Sequence, residues 1–346
     1  MILTDVYMES SIWKSLAEEI KDYKNILVIH GTKSLEAVKQ DLFKILSNKD
    51  FSFFHYGDEC SYSFLDYNLH DLEKNNYDLI IGIGGGKAID LSKLLMDKLD
   101  IPLFTVPTIA STCAAVSYIS VMYHENHVFQ ELYFLKRPPH KTFINLETIL
   151  NAPKRYLWAG IGDTLAKYYE MNMKAEGQRL NFNTTMGEKL SLLCKESMLN
   201  YGASALLATE VTQDFEEVAG VILVTTGIVS NLIDFKYNGA LAHSIFDSLT
   251  QIKRVEEEHL HGEVVAFGIL VQLELEKKFD ELERLKTFYK NIKLPTDLNE
   301  VVIREEYLEK KELVIGKILD SAAYSDIPLN FTRDEFIAIL EKNRIC

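Results

Sequence analysis

Clustered basic residues and an export signal are both missing from this sequence. Its 346 residues include 37 Lys and Arg against 51 Asp and Glu, a formal net charge of -14. Nucleic acids and anionic membranes are bound mainly through clustered Lys and Arg, so we expect neither as a partner. The N-terminal MILTDVYMES has no basic stretch and no continuous apolar run, which predicts a cytoplasmic protein.

Cysteines are few, and no apolar run is long. The four cysteines are Cys60, Cys113, Cys194 and Cys346. They form no CxxC pair, which is typical of reduced thiols in the cytosol. The most apolar stretch, residues 218–233, is shorter than a bilayer span and contains Thr, Ser and Asn, so we predict a buried helix there and no membrane partner.

Hydrophobic periodicity divides the chain into two parts. Up to about residue 150, predicted strands alternate with amphipathic helices at 34–46 and 87–99, a pattern typical of a parallel sheet covered by helices. The predicted strands are residues 25–30, 51–56, 79–83 and 103–106. After Pro153 only helical periodicity remains. We therefore predict an α/β Rossmann-like nucleotide-binding domain, 1–152, and an all-α domain, 153–346.

A glycine-rich loop follows the third predicted strand. Gly84, Gly85, Gly86 and Lys87 lead into a helix whose first turn contains Asp90. Glycines let the backbone approach a ligand, and the free N–H groups of a helix N-terminus attract phosphate, so a pyrophosphate site is indicated. The loop matches neither the P-loop nor the GxGxxG pattern, and a tight strand-to-helix turn remains the alternative.

A hydroxyl-rich loop follows the fourth predicted strand. It contains Thr108, Ser111 and Thr112 and leaves the same end of the predicted sheet as the glycine loop. Nucleotides bind outside the carboxyl ends of parallel strands, so these hydroxyl groups are candidate cofactor contacts. The alternative is a Ser/Thr-rich loop that bonds its own backbone.

The helical part contains a candidate metal site. Asp163, His243 and His261 lie in three separate predicted helical segments. One carboxylate and two imidazoles suit a catalytic zinc, which commonly takes three protein ligands and leaves one position open. Taken singly, Asp163 could be a helix cap, His243 a core histidine and His261 a loop residue.

Five segments together resemble the glycerol dehydrogenases, within the family of iron-containing alcohol dehydrogenases. They are GIGGGKAID, PTIASTCAAVSYISVMY, AGIGDTLAKYYE, NGALAHSIF and HGEVVAFGILVQL, in the family's order. The resemblance implies a dehydroquinate synthase-like fold, metal held by Asp163, His243 and His261, an NAD or NADP cofactor, and a small alcohol or polyol as substrate. We also expect a homo-oligomer. The cofactor contacts that it implies are Gly86, Lys87, Asp90, Thr108, Ser111, Ser117 and Tyr123.

Three positions depart from the family pattern. Lys167 stands where the iron-dependent relatives have a fourth ligand, a histidine, which favours Zn²⁺ over Fe²⁺. Gly31 and Thr32 follow the first predicted strand, where glycerol dehydrogenases commonly have an acidic residue that recognises the ribose. Cys113 replaces an aspartate that lies against the substrate in the family and is counted here among the catalytic residues.

The sequence predicts a metal-dependent oxidoreductase that transfers a hydride between a glycerol-like alcohol and NAD(P). One alternative is an sn-glycerol-1-phosphate dehydrogenase, with Lys136, Arg137 and Lys141 as possible phosphate contacts. A lyase resembling dehydroquinate synthase is more distant. The third alternative is a catalytically silent nucleotide- or metal-binding protein.

Overall fold

The computed structural model describes residues 3–125, 128–321 and 327–342, and the chain forms two compact units. The first unit comprises Met1–Leu157 and Leu207–Asn231, and the second comprises Trp158–Leu206 and Leu232–Cys346, as far as these are described. The domain division at residues 152 and 153 stays a prediction.

A parallel sheet forms the centre of the first unit. Its strands are β1 (Asp5–Glu9), β2 (Asn25–His30), β3 (Asp50–His55), β4 (Leu79–Gly84), β5 (Leu103–Pro107) and, after a hairpin, β8 (Lys141–Asn145). They pair in the order β1-β8-β5-β4-β2-β3, with every neighbouring pair parallel. The hairpin strands β6 (Ile119–Tyr123) and β7 (Phe129–Phe134) are antiparallel.

Both faces of the sheet are covered, as parallel sheets require. Alternate residues of the central strands belong to different cores: Ile81 and Ile83 of β4 pack into one cluster, while Ile80 packs into the other. The helices of this part are α1 (Trp13–Glu19), α2 (Thr32–Leu46), α3 (Tyr62–Glu73), α4 (Gly86–Leu99) and α5 (Leu146–Asn151). The predicted α/β fold is confirmed, and the four predicted strands match β2 to β5 within one residue at each end.

From Lys154 onward the described residues contain helices and no strand. The α-helices are α6 (Lys154–Ala175), α7 (Phe182–Leu207), α8 (Gln213–Gly220), α9 (Thr226–Leu232), α10 (Leu241–Leu249), α11 (Lys253–Glu258), α12 (His261–Leu275), α13 (Phe279–Ile292), α14 (Arg304–Asp320) and α15 (Arg333–Leu340). A π-helical turn joins α8 to α9 at Val221–Thr225, and 3₁₀ turns lie at Phe235–Tyr237 and Leu298–Glu300. The predicted helical second half is confirmed.

The most apolar helix is longer than the sequence suggests. Because the π-helical turn does not interrupt it, the helix runs for 20 residues, Gln213–Leu232, and its most apolar 18-residue window has a mean hydropathy of 1.4. About 20 apolar residues can cross a bilayer, so the prediction that this stretch is too short was wrong. Of its most apolar window, 67% is buried within the protein, which agrees with the predicted buried helix.

Candidate metal centre and nucleotide loops

The structure brings Asp163, His243 and His261 together in the second unit. One donor atom from each residue lies within 4.8 Å of the other two. Asp163 Oδ1 is 3.2 Å from His261 Nε2 and 3.6 Å from His243 Nε2. Two ligands at zinc-bond length on a tetrahedral ion are about 3.3 Å apart, so these donors have the chemistry and spacing of a metal site.

Two glycines allow the helices that carry Asp163 and His261 to approach each other. A Cβ added to Gly162 of α6 would lie 2.2 Å from the Gly262 carbonyl oxygen of α12. A Cβ on Gly262 would lie 1.9 Å from the Ala159 oxygen. Only glycine fits on either side of this crossing. The backbone contact places Asp163, next to Gly162, beside His261, next to Gly262.

The N-terminus of α12 fixes His261. The Glu263 carboxylate accepts a hydrogen bond from the Leu260 N–H at 3.1 Å and contacts His259 Nδ1 at 2.8 Å, which fixes the two residues that precede His261. The Phe246 ring packs edge-on against the His261 imidazole, with centroids 4.3 Å apart. The backbone before His261 and one face of its ring are therefore held by neighbouring residues.

Glu170 holds His243 in position, and sequence reasoning missed it. Its buried carboxylate accepts the N–H groups of Ala240 at 2.8 Å and His243 at 3.0 Å. Its second oxygen lies 2.5 Å from His243 Nδ1. A carboxylate can only accept, so Nδ1 carries a proton, and Nε2, which lies 3.6 Å from Asp163 Oδ1, is the nitrogen that can bind a metal once its own proton is released. This arrangement is the usual support for a metal-binding histidine.

Buried charges dominate the electrostatics of this centre. Burial opposes ionisation of Asp163, but hydrogen bonds from His243 and His261 hold the pKa of that carboxyl well below its usual range. Burial lowers the pKa of His243, yet the carboxylates of Glu170 and Asp163 outweigh it and raise the pKa to about 10. One turn beyond His243, burial raises the pKa of the Asp247 carboxyl. A divalent cation among these carboxylates would replace protons as their counter-charge.

In the first unit, the glycine loop and the hydroxyl loop lie side by side. Gly84 pairs with Pro107 in the sheet, and its carbonyl accepts the Thr108 N–H at 3.1 Å. A Cβ on Gly86 would lie 3.3 Å from Thr112 Oγ1, and Gly84 has φ +155°, which favours glycine. Gly85 and Ser111 line the same small cleft, which opens at the N-terminus of α4. The two loops thus meet at the N-terminus of α4, and the pyrophosphate site there stays a prediction.

The other predicted cofactor contacts surround the β6–β7 hairpin. Asp90 is buried, with its Oδ1 2.7 Å from Lys93 Nζ and its Oδ2 accepting the Val121 N–H at 3.3 Å. Ser117 Oγ is 3.3 Å from Lys93 Nζ, and Lys87 Nζ lies 5.0 Å from the Tyr123 ring centre. The carboxylate of Asp90 therefore ties α4 to the hairpin. Its predicted contact with the cofactor stays a prediction.

Cys113 lies in the hydroxyl loop, where its carbonyl accepts the Val116 and Ser117 N–H groups, each at 3.2 Å. Cys60, Cys113 and Cys194 are not joined in disulfides, and Cys346 lies outside the described residues. The role of Cys113 at the substrate stays a prediction.

Comparisons with known proteins agree with this architecture. Residues 4–140 match the model of the family "Iron-containing alcohol dehydrogenase". The chain is 35% identical over 255 residues to a glycerol dehydrogenase of Thermotoga maritima, covering 71% of this chain and 68% of the relative. It is 34% identical over 277 residues to hydroxycarboxylate dehydrogenase A of Escherichia coli K12, covering 76% and 74%.

A solved structure supports the same relationship. The glycerol dehydrogenase of Schizosaccharomyces pombe superposes with a TM-score of 0.84 at 26% identity, covering 99% of this chain and 89% of that one. The family is metal-dependent and binds NAD, which accords with the three donors and the two loops. The chain belongs to the iron-containing alcohol dehydrogenase family, in the group that includes the glycerol dehydrogenases, and is a metal-dependent alcohol oxidoreductase.

Proposed function

We propose that this chain is a cytoplasmic, zinc-dependent, NAD(P)-linked dehydrogenase of a small polyol or secondary alcohol. The observation that carries the proposal is the cluster of Asp163, His243 and His261, with Glu170 holding Nδ1 of His243 so that Nε2 faces Asp163. When bound, zinc would supply Lewis acidity, of the kind that lowers the pKa of bound water from about 15.7 to about 7. Zinc is favoured over iron because Lys167 replaces the histidine that is a fourth ligand in the iron-dependent relatives.

The chain's own residues would position the reactants. Asp163, His243 and His261 would hold the metal, and the hydroxyl proton of the alcohol would leave through solvent. The amides of Gly84 to Gly86 and the N-terminus of α4 would hold the pyrophosphate of the dinucleotide. The cofactor carries out the redox chemistry, and the protein supplies orientation and charge.

The choice between NAD and NADP depends on the residue after β2. At Gly31 a Cβ would meet the Tyr56 ring at 2.8 Å, so an acidic side chain is both absent and disfavoured there. Because this position has no carboxylate, nothing there would repel the 2′-phosphate of NADP. We infer that both cofactors are used. The homo-oligomeric state stays a prediction.

Neither alternative activity is proposed. Nothing in the comparisons favours the sn-glycerol-1-phosphate dehydrogenase, and all three of its candidate phosphate contacts already pair with carboxylates. Lys136 Nζ lies 3.9 Å from Asp97. Arg137 Nη2 lies 3.3 Å from Asp100, and Lys141 Nζ lies 2.6 Å from Glu19. The complete donor cluster also weighs against a catalytically silent protein.

Stripping and reloading the metal tests the proposed function. Chelator-treated protein is assayed with glycerol, 1,2-propanediol and 2-propanol, with NAD⁺ and NADP⁺ in turn, before and after adding Zn²⁺ or Fe²⁺. We expect no turnover without metal and recovery with zinc. Undiminished turnover in the stripped protein, or no dinucleotide reduction with any alcohol after reloading, would contradict the proposal.

A further inference from the structure

Helix α6 presents three charged residues towards the metal centre. Asp163, Lys167 and Glu170 follow an i, i+4, i+7 spacing, which places them on one face of the helix. The two carboxylates contact opposite nitrogens of the same imidazole, that of His243. Lys167 lies between them, and helical side chains lean towards the preceding turn, so its stem is directed towards the turn of Asp163.

The Lys167 ammonium group has no acidic partner. Across residues 3–125, 128–321 and 327–342, no carboxylate oxygen forms an ion pair with Lys167 Nζ, whose hydrogen bond is to Asn238 Oδ1 at 3.2 Å. Asn238 precedes Gly239, where a Cβ would lie 3.8 Å from the Cγ of His243. The ammonium group is therefore anchored at the turn that leads into the helix of His243, and it keeps donors available for another acceptor.

We propose that Lys167 binds the carboxylate of the substrate, so that the enzyme acts on a 2-hydroxycarboxylate and the corresponding 2-oxocarboxylate. This rests on the proposed function, in which the reacting hydroxyl would lie at the metal held by Asp163, His243 and His261. Lys167 lies one helical turn from Asp163, about 6 Å along the helix axis. A similar distance separates the hydroxyl-bearing carbon of a 2-hydroxycarboxylate from a cation that binds its carboxylate. No group in a neutral polyol needs this cation.

A carboxylate suits the site better than a phosphate. On this face of α6, Lys167 is the one cation between the carboxylates of Asp163 and Glu170. Asp247, one turn beyond His243, adds a third carboxyl group nearby. A monoanion can be neutralised by a single lysine, whereas a phosphate dianion beside three carboxyl groups would need further cations. The experiment therefore includes dihydroxyacetone phosphate, which tests whether the site binds a phosphate instead of a carboxylate.

The reaction balances without a further reactant. The 2-hydroxycarboxylate loses its C2 hydrogen as a hydride, with both electrons, to the oxidised nicotinamide dinucleotide. Its hydroxyl proton goes to water. The C2–O bond becomes a carbonyl, and the products are the 2-oxocarboxylate, the reduced dinucleotide and one proton. The carboxylate keeps its charge throughout, so Lys167 acts in binding and orientation.

Two matched ketones test the proposal in the direction of reduction. Pyruvate and hydroxyacetone differ in one group, a carboxylate in place of a hydroxymethyl. In Lys167→Met we expect the ratio of kcat/KM for pyruvate to that for hydroxyacetone to fall by about 10- to 150-fold, the range for losing a hydrogen bond to a charged group. Lys167→Arg should retain most of the preference. Lys189→Met, which removes an exposed lysine from α7, should leave the ratio unchanged.

A binding measurement accompanies the kinetics. Oxamate, an unreactive analogue of pyruvate, is titrated calorimetrically into the zinc-loaded protein with reduced dinucleotide, and metal content is measured for each variant. We expect weaker oxamate binding in Lys167→Met with unchanged metal content, and Lys167→Gln serves if Lys167→Met does not fold. Equal losses for both ketones, or unchanged oxamate binding, would show that Lys167 only anchors the Asn238 turn and would overturn the proposal.

The remaining outcomes are distinct. The parent protein could have a higher kcat/KM for dihydroxyacetone phosphate than for pyruvate, and Lys167→Met could lose this preference. That result would show that Lys167 binds a phosphate and would overturn the proposal. Failure of the proposed function would appear as no turnover of any ketone, and the oxamate titration would still decide the role of Lys167.

Discussion

Replacing Glu170 with glutamine should weaken metal binding without removing a ligand. The carboxylate accepts three N–H groups, two from the backbone through one oxygen and His243 Nδ1–H through the other. Glutamine can keep the first oxygen but places an NH₂ group against Nδ1–H. Two donors then face each other, and relief requires His243 to move its proton to Nε2, which blocks that nitrogen as a ligand.

The size of the effect follows from that conflict. Losing the partner that orients a metal-binding histidine typically costs about 10- to 100-fold in metal affinity, or about 1.4 to 2.7 kcal/mol. We expect Glu170→Gln to fall in this range when zinc affinity is measured by competition with a chromophoric chelator at constant pH. The measurement does not depend on knowing the substrate.

Glu281→Gln is the matched control for Glu170→Gln. Glu281 is a partly buried carboxylate of the second unit that accepts the Tyr169 hydroxyl at 2.6 Å and pairs with Lys195. Its replacement should lower stability but leave zinc affinity unchanged. The reasoning would be refuted if Glu170→Gln bound zinc within about twofold of the parent, or if Glu281→Gln lost as much affinity.

Three further predictions concern the helix crossing, the cofactor and the substrate. Gly262→Ala should lower the free energy of unfolding by about 1 to 3 kcal/mol and release metal, because its Cβ would lie 1.9 Å from a backbone oxygen. The control in denaturant unfolding is Gly316→Ala, where a Cβ meets nothing within 4 Å, and equal destabilisation of the two variants would contradict the prediction. NADPH should be used within about tenfold of NADH, since Gly31 supplies no carboxylate at the end of β2; a kcat/KM preference for NADH above about a hundredfold would contradict this. Cys113→Asp should raise kcat/KM for glycerol relative to 2-propanol by about 1.5 to 3 kcal/mol, because a carboxylate accepts polyol hydroxyl groups, and an unchanged ratio in a folded, metal-loaded variant would exclude that role.

Local pattern was enough to predict the central strands and both loops. Apolar runs, ILVI in β2 and LII in β4, are followed within a few residues by glycine, so strand and turn are both encoded locally. The edge strand β1, DVYME, was missed because half-exposed residues give no alternating pattern. The strand β8, KTFIN, was missed because the polar Lys141 and Asn145 at its ends leave only three strand-favouring residues between them.

The support of the metal centre could not be predicted from the sequence. Glu170 reads as a solvated charge on a helix, because its partners begin at Ala240, far along the chain. Nothing in the sequence distinguishes Gly162 and Gly262 from other glycines, and only the structure shows that their helices cross at these two residues. The three donors themselves were predicted only as a set, through the resemblance, since each one alone has an ordinary structural role.

Metal content is the most direct test of the central claim that Asp163, His243 and His261 form one metal site. Elemental analysis of the purified parent protein should find about one divalent ion per chain, and His261→Ala should lose most of it, because a three-ligand site cannot spare a donor. Full occupancy in His261→Ala, or no bound metal in the parent after loading with zinc, would contradict the claim.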